Sequence, residues 1–218
     1  MNYIIETNAI NSIEDHLKCD DDFLLNFPDN QSLYLRLWEL DYYCIVLGRS
    51  NKEESETYKE LATKFNIQII KRSSGGGTVI LGPGCLCYSL FAPTSTQEHA
   101  NISRTNFSVM NAFQKSFSKH FNNVEVNGIT DLCINEHKFS GNAQRRLKHA
   151  TLFHGTFLYD FDLSIIYKFL KHPTKEPEYR KQRSHKEFLT NIKISKANLE
   201  TLIKTTFQCS NTQEFTFR

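Results

Sequence analysis

The stretch that decides the fold lies in the first half of the chain and reads Lys71-Arg72-Ser73-Ser74-Gly75-Gly76-Gly77-Thr78-Val79. It directly follows the strand-like run Ile67–Ile70. Three consecutive glycines cost backbone entropy unless the chain needs positive φ angles or a ligand must approach the main chain. Backbone N–H groups in such a turn can hold phosphate or carboxylate oxygens, and two cations precede the glycines. The spacing is not that of a Walker loop or a dinucleotide fingerprint. The stretch therefore predicts either an anion-binding turn or a tight connection between strands.

A second group of chemistry-bearing residues lies further along the chain. Asp131 and Lys138 precede the small-residue stretch Ser140–Ala143, and His154-Gly155-Thr156 follows in an apolar run. Small residues let a ligand approach closely, so a lysine beside them can meet an anion; otherwise a lone lysine is a solvated surface group. His154 is either a ligand contact or a hydrogen-bonded core histidine.

The rest of the chain predicts an α/β protein with a mixed sheet. Hydrophobic periodicity indicates helices over 12–27, 54–65, 103–121, 162–171 and 195–206. It indicates strands over 32–38, 42–47, 67–70, 78–81, 85–91, 131–134 and 150–158. The third helix has an apolar stripe, predicted to pack in the core, made of Phe107, Met110, Phe113, Phe117 and Phe121. Lys171–Arg183, with two prolines and many charges, is predicted to be a loop.

Composition excludes several classes of protein. The 218 residues are 39% hydrophobic, with 17 Phe and a formal net charge of +2, which excludes intrinsic disorder. The first residues lack the pattern of a signal peptide, and no apolar run approaches the roughly 20 residues that span a bilayer. We therefore expect a cytoplasmic protein that does not enter a membrane. Its six scattered cysteines are predicted to be reduced and mostly buried.

Charge is unevenly distributed along the chain. Residues 1–60 carry 13 acidic against 5 basic side chains, and residues 136–187 carry 11 basic against 6 acidic side chains. A basic second half suits an anionic partner, although a solvated basic face has the same composition.

Taken together, these motifs resemble the lipoate–protein ligase A family. The resemblance rests on Arg72–Val79 continuing to Gly84–Ser89, on Asp131-Leu132 with Lys138–Ala143, and on His154-Gly155-Thr156. A further similar segment runs from Glu178 to Asn191. The resemblance implies a single biotin/lipoate ligase-type catalytic domain over 1–218. Its fold class would be α/β (α+β), a mixed β-sheet flanked by helices, like the class II aminoacyl-tRNA synthetases and biotin synthetases.

The resemblance also implies an enzyme with two half-reactions. Lipoate and ATP, with Mg²⁺, would give lipoyl-AMP, and an acceptor lysine would then attack the acyl carbon. Lys138 would be catalytic, because a cation near the phosphate and acyl oxygens stabilises the charge that moves between them. The implied ATP and lipoyl-AMP contacts are Arg72, Gly75, Gly76, Gly77, Thr78, Val79, Ile80, Asp131, Lys138, Ser140, Gly141 and Ala143. The implied lipoate contacts are Lys138, Tyr88, His154 and Gly155, and no metal site in the protein is implied.

The implied partners are lipoate and acidic lipoyl domains, either of 2-oxoacid dehydrogenase complexes or of the glycine-cleavage H protein. The basic region 136–187 would dock them. Two features depart from the family pattern. Leu81-Gly82 stands where many ligases have a His-Asp pair, and only 27 residues follow Asn191, too few for the usual C-terminal accessory domain. An accessory protein would then supply that domain, the chain would only transfer a supplied lipoyl-AMP, or it would have its own solution for activation.

The sequence also allows other functions. An octanoyltransferase of this fold would need a thiolate near Lys138; Cys133 is expected to face away from it, and Cys85 and Cys87 are further candidates. The arginine-rich loop of biotin ligases is absent. His137, His149 and His154 lack the spacing of a zinc site. A degenerate nucleotide-binding module is disfavoured by Lys138, and a nucleic-acid binder by the lack of aromatic residues among the basic ones.

Overall fold

The computed structural model describes residues 1–7, 10–28 and 31–216. Within them the chain forms two β-sheets flanked by helices. The strands are β1 (Asn2–Thr7), β2 (Tyr34–Trp38), β3 (Cys44–Leu47), β4 (Gln68–Lys71), β5 (Val79–Leu81), β6 (Cys85–Pro93), β7 (Val124–Asn127), β8 (Asp131–Ile134), β9 (His137–Arg146), β10 (Ala150–Leu158) and β11 (Cys209–Phe215). The α-helices are α1 (Ile13–Leu25), α2 (Glu53–Glu56), α3 (Lys59–Lys64), α4 (Ile102–Phe117), α5 (Leu163–Phe169), α6 (His185–Phe188) and α7 (Lys196–Thr206).

The large sheet has eight strands in the order β11-β1-β2-β6-β10-β9-β8-β7. Strand β1 is parallel to both of its neighbours, and the other neighbouring pairs are antiparallel. The small sheet, β4-β3-β5, combines one parallel and one antiparallel pair. The predicted mixed sheet is therefore confirmed. The sequence pattern did not reveal β1, β7, β9 and β11, whose residues are largely polar or half-exposed and so do not alternate cleanly.

The two faces of the large sheet are buried by different elements. Helices α4 and α7 pack on one face, where Phe113 lies 5.1 Å from Tyr88, 5.2 Å from Phe157 and 5.0 Å from Phe207 between ring centroids. We call this the α4 face. On the opposite face, α1, α5 and the small sheet share a second core with Cys85 and Cys87. We call that the open face, because Lys138, Ala143 and Thr156 are partly exposed there.

Two predicted helical features need correction. The helix expected over 54–65 is broken into α2 and α3, because Thr57 is extended and pairs with Leu170. In α4, the apolar stripe begins at Met110, since Phe107 is 74% exposed. At 100° per residue, Phe107 points about 120° away from the fully buried Phe113, at the edge of the packed face.

Helix α1 begins where the sequence predicts. Its N-cap is Ser12, whose side chain accepts a hydrogen bond from the Asp15 N–H. A serine oxygen at this position satisfies one of the unpaired N–H groups in the first turn. The cap sets the start of the helix that presents Asp20 and Asp21 to the open face.

Candidate active site

A β-bulge in β9 turns Lys138 onto the open face of the sheet. Leu132 of β8 pairs with Ser140 and Cys133 pairs with Lys138, so Phe139 is an extra residue on β9. Phe139 and Ser140 are both buried. In a regular strand Lys138 would share the face of Ser140, because side chains alternate. The bulge re-aims the side chain, and its Cε and Nζ lie 2.8 Å from where a Cβ on Gly141 would stand.

The Lys138 ammonium is held by a carboxylate that has a second partner. Lys138 Nζ lies 2.8 Å from Asp131 Oδ1, and the pair is only partly exposed. The Tyr179 hydroxyl donates to Asp131 Oδ2 at 2.6 Å. The fold thus brings the predicted residues Asp131, Lys138 and Gly141 together, and adds a tyrosine from a distant segment.

The expectation that Cys133 faces away from Lys138 is wrong. The two residues lie on the two strands of a hairpin and form a directly opposed pair, so they share a face. The Cys133 thiol lies 3.7 Å from the Tyr179 hydroxyl. Burial raises the pKa of this thiol, so it stays protonated at neutral pH. Its position near Lys138 is therefore not accompanied by the activation that a thioester mechanism needs.

The glycine-rich turn lies against the second group of predicted residues. Gly76 has φ +90°, and a Cβ there would meet the Arg72 guanidinium at 2.9 Å and Ala143 Cβ at 3.2 Å. A Cβ on Gly75 or Gly77 would meet nothing within 4 Å. The turn therefore needs glycine at 76 for its shape and leaves open space at the other two positions.

Arg72 shapes this turn from inside. Its guanidinium donates to the carbonyl oxygens of Gly75 at 2.7 Å, Gly77 at 2.8 Å and Val46 at 3.2 Å. Burial lowers the Arg72 pKa to about 10, so it is still a cation at neutral pH. A cation on three carbonyl oxygens fixes the path of the chain from β4 to β5. Its predicted contact with a nucleotide stays a prediction.

Small side chains form the floor of the open face next to Lys138. Strand register aligns Ala143, His154 and Ser89 in one row and Gly141, Thr156 and Cys87 in the next. Arg36 and Trp38 of β2 end these two rows, and Asp20 and His16 of α1 pack on that end. We call these two rows, from β9 to β2, the trough. Directly paired residues lie on one face of a sheet, so both rows line the same surface. They cross four strands, and three spacings of about 4.8 Å make the trough about 14 Å long.

His154 links the trough to the glycine-rich turn. Its Nε2 lies 2.6 Å from Ser74 Oγ. Burial, with a smaller contribution from Arg72, lowers its pKa to about 3, so the ring is neutral at pH 7. It can exchange one hydrogen bond with a ligand or with Ser74, but it does not supply a positive charge.

Three predicted ligand contacts lie on the other side of the sheet. Tyr88 is buried on the α4 face, where its hydroxyl donates to Asn142 Oδ1 at 2.6 Å. Ser140 is buried on the same face, because the bulge separates it from Lys138. Gly155 faces Asn142, whose Oδ1 would lie 1.9 Å from an added Cβ. The side chains of Tyr88 and Ser140 therefore cannot line the trough, and Gly155 serves the packing of Asn142.

The segment after the glycines enters the small sheet. Val79 and Ile80 pair with β3, and the Ile80 side chain is in the second core. The Thr78 hydroxyl is buried and has no hydrogen-bond partner among the described residues. At the position of the usual His-Asp pair, Leu81 is buried, and a Cβ on Gly82 would lie 2.4 Å from the Tyr43 ring. Packing against the neighbouring residues therefore accounts for Leu81 and Gly82 at these two positions.

Sequence reasoning missed one further residue of the site, Asp21 on α1. Its Oδ1 accepts from the Ser73 hydroxyl at 2.7 Å and from the Arg145 guanidinium. It therefore ties the glycine-rich turn to β9. The acidic run on α1 is visible in the sequence, but its contacts are 52 and 124 residues away in the chain. Within residues 1–7, 10–28 and 31–216, no three His, Cys, Asp or Glu side chains are grouped to hold a metal. No helix in the same ranges could cross a membrane.

The sequence matches the family model described as lipoyl protein ligase A/B catalytic domain over residues 12–208. The chain belongs to this family. The predicted resemblance is thereby confirmed. Among curated members, probable lipoate-protein ligase A of Mycoplasma pneumoniae is 30% identical over 72% of this chain and 45% of its own length. Inactive lipoate–protein ligase 2 of Plasmodium falciparum is 27% identical over 69% of this chain and 48% of its own length. The chain spans about half the length of these relatives.

Solved structures show the same lipoyl ligase fold. The bipartite lipoate protein ligase of Thermoplasma acidophilum, described with its E2 lipoyl domain, has a TM-score of 0.82 at 21% identity. That match covers 100% of this chain and 87% of the other. A lipoate-protein ligase A bound with ATP has a TM-score of 0.80 at 20% identity, covering 100% and 90%. At these identities the likeness shows the fold, and the predicted fold class is confirmed.

Proposed function

We propose that this chain is a lipoate–protein ligase that converts lipoate and ATP to lipoyl-AMP and transfers the lipoyl group to a lysine of an acceptor protein. The observation that carries the proposal is the placement of Lys138. Its ammonium stands over Gly141, held by Asp131, at the β9 end of the trough, where Ala143 of the same strand lies against the glycine-rich turn. Family membership supports the same reaction.

Lys138 suits the charge changes of both half-reactions. Activation joins a carboxylate to an α-phosphate, so two anions must meet. Transfer then places negative charge first on the acyl oxygen and afterwards on the leaving AMP. A compact ammonium on a flexible stem can follow these oxygens, and in a partly dehydrated site it stabilises them strongly. Its partner Asp131 keeps the ammonium in position before the substrate arrives.

The trough and the turn suit the two parts of lipoyl-AMP. Gly141, Ala143 and Thr156 are partly exposed and carry small or no side chains, so this part of the trough suits an apolar chain. The open positions at Gly75 and Gly77 leave backbone accessible to phosphate oxygens, and the unpaired Thr78 hydroxyl offers a further hydrogen bond. Mg²⁺ would enter with the nucleotide as part of the co-substrate, because Mg²⁺ in such sites is held mainly by phosphates and water.

The acceptor would be an acidic lipoyl domain of a 2-oxoacid dehydrogenase complex or the glycine-cleavage H protein. The basic region 136–187, part of which borders Lys138, supports such a partner by charge complementarity. The related Thermoplasma ligase is described as bipartite and with an E2 lipoyl domain. We propose that the present chain acts as a catalytic domain of this type in the cytoplasm.

A second candidate function is transfer of lipoyl from a supplied lipoyl-AMP without ATP activation. The observation that favours it is the same placement of Lys138 over Gly141, which serves the transfer step whether or not the chain activates lipoate. A cysteine-dependent octanoyltransfer is less favoured. All six cysteines are buried, and burial raises the thiol pKa of Cys87 and Cys133, the two nearest the trough and Lys138.

The deciding experiment measures pyrophosphate release and acceptor lipoylation in parallel. The wild type, Lys138→Ala and the matched control Lys119→Ala, an exposed lysine of the α4 C-terminal turn, are each given lipoate, Mg-ATP and a lipoyl domain. We expect activity in the wild type and control, and at least a hundredfold loss in Lys138→Ala. Each protein is also given preformed lipoyl-AMP with the lipoyl domain, and transfer from it without pyrophosphate release from lipoate and ATP would select the second function. Absence of both activities in the wild type would refute both.

A further inference from the structure

A segment far along the chain packs directly on the β8–β9 hairpin that carries Lys138. We call residues 176–190 the strap. Leu189 forms a parallel bridge with Lys138, and the Thr190 N–H donates to the Lys138 carbonyl oxygen at 2.9 Å. At the turn of the hairpin, two residues before Lys138, the Arg183 guanidinium donates to the Glu136 carbonyl oxygen at 3.1 Å. The strap therefore follows the backbone of the hairpin from its turn at Glu136 to Lys138.

The strap is folded so that Tyr179 has little freedom. The Tyr179 and Phe188 rings lie 5.4 Å apart, and the Arg180 guanidinium stands 4.7 Å from the Phe188 centroid. The Arg183 guanidinium donates to the Tyr179 carbonyl oxygen at 3.0 Å. On its far side, the tyrosine ring lies 3.1 Å from where a Cβ on Gly128 would stand. Ring packing and backbone contacts thus fix the direction of the hydroxyl.

The fixed hydroxyl completes a chain of hydrogen bonds that ends at the lysine. The Cys133 thiol donates to the Tyr179 oxygen at 3.7 Å, and Tyr179 donates to Asp131 Oδ2 at 2.6 Å. The other oxygen, Oδ1, forms an ion pair with the Lys138 ammonium at 2.8 Å. Burial and the Asp131 charge both raise the Tyr179 pKa, so the hydroxyl remains a donor. With both oxygens engaged, the carboxylate cannot rotate about its own axis without breaking a charge-assisted bond.

We infer that Tyr179 is a positioning residue for acyl transfer, which acts through Asp131 to hold the Lys138 ammonium over Gly141. The inference rests on the proposed function of Lys138. Loss of the hydroxyl would leave one Asp131 oxygen unpaired in a half-buried site. The carboxylate would then turn toward other donors or water and draw the ammonium away from the trough. Because Tyr179 would make no bond to the substrate, its removal should slow transfer while leaving acyl binding unchanged.

The kinetic test is a double-mutant cycle on transfer from preformed lipoyl-AMP to a lipoyl domain. Tyr179→Phe, Asp131→Asn and the double variant are compared with the wild type, and Tyr167→Phe on the exposed face of α5 is the matched control. We expect Tyr179→Phe to lower kcat about tenfold with KM for lipoyl-AMP within about twofold, and the control to be unchanged. In the Asp131→Asn background the same substitution should cost less than about twofold, because its target charge is gone.

A second measurement reads the lysine directly and does not need activity. Each protein is exposed briefly to acetic anhydride, and acetylation of Lys138 is counted by peptide mass spectrometry against exposed Lys119. An amine must leave its carboxylate partner before it can attack the reagent, so Tyr179→Phe should raise labelling of Lys138 several-fold and leave Lys119 unchanged.

The outcomes separate the two proposals. Wild-type kinetics together with wild-type labelling in Tyr179→Phe would overturn the inference. The inference would also be overturned if Tyr179→Phe lowered kcat tenfold in the Asp131→Asn background as well, since Tyr179 would then act by another route. An inactive wild type would refute the proposed function, and the labelling result would then decide alone whether Tyr179 positions Lys138.

Discussion

Replacing Gly141 by alanine should move the Lys138 amine while leaving the fold intact. The added Cβ would lie 2.8 Å from both Cε and Nζ of Lys138, and 3.7 Å from Asp131 Oδ1. An ordinary contact begins at 3.4 Å, so the end of the lysine must retreat by about 0.6 Å or more. The ammonium sits on a flexible stem, so this movement costs the fold little.

The same movement is large for the chemistry. The Lys138–Asp131 contact is 2.8 Å, and a shift of about 0.6 Å away from the carboxylate would take it beyond good hydrogen-bond length. Misplacing a catalytic cation by this much should lower kcat for transfer from lipoyl-AMP by about ten- to a hundredfold. The melting temperature should stay within about 3 °C of wild type, because alanine is no worse than glycine for the entropy of a strand.

The assay is steady-state lipoylation of a lipoyl domain, with thermal unfolding measured on the same samples. Gly75→Ala is the matched glycine control for stability, since its Cβ would meet nothing within 4 Å. The double variant with Lys138→Ala should be no slower than Lys138→Ala alone. Transfer by Gly141→Ala within twofold of wild type, beside an inactive Lys138→Ala, would refute the assigned position of the amine.

Two further predictions concern protonation and thiol access. The His154 pKa is about 3 in the folded chain and 6.5 in the unfolded chain, so the unfolded state takes up its proton first and stability falls as pH drops from 6.5 toward 3. At pH 5 the loss of unfolding free energy from this one group reaches at most about 2 kcal/mol. Urea unfolding at pH 7 and pH 5 should show that His154→Gln removes this contribution. An unchanged pH dependence in the variant would contradict the buried neutral ring. A thiol reagent such as dithionitrobenzoate should find none of the six buried cysteines quickly in the native protein and all six in denaturant; a fast stoichiometric reaction in the native state would reopen a thioester mechanism.

Local rules predicted much of the fold. The Ser12 cap, the strands over 85–91, 131–134 and 150–158, and the helix near 195–206 all appear close to their expected limits. These elements have strong periodicity or a cap that acts within one turn. The helix over 54–65 failed because Thr57 pairs with Leu170, a contact made 113 residues away in the chain. Strands β1 and β11 failed because parallel pairing of two distant, partly polar segments has no local signal.

The candidate site divides in the same way. Its residue types were visible in the sequence: the three glycines, Lys138 beside small residues, and His154-Gly155-Thr156. Because side chains alternate along a strand, the sequence already implied that Tyr88 and Cys87 point to opposite faces of β6. It did not show which of the two faces carries the trough. Ser140 was not accessible to such reasoning, because the extra residue Phe139 changes which side chains share a face.

By itself, the sequence determined the family, the mixed sheet and the two motifs, because these depend on residue types and on periods of a few residues. Only the tertiary structure decided which atoms meet. The bulge at Phe139 places Lys138 over Gly141, and the strap brings Tyr179 to Asp131 across 48 residues of chain. The direction of a side chain depends on register, and a carboxylate's partner depends on packing between distant segments. Neither is encoded in local spacing.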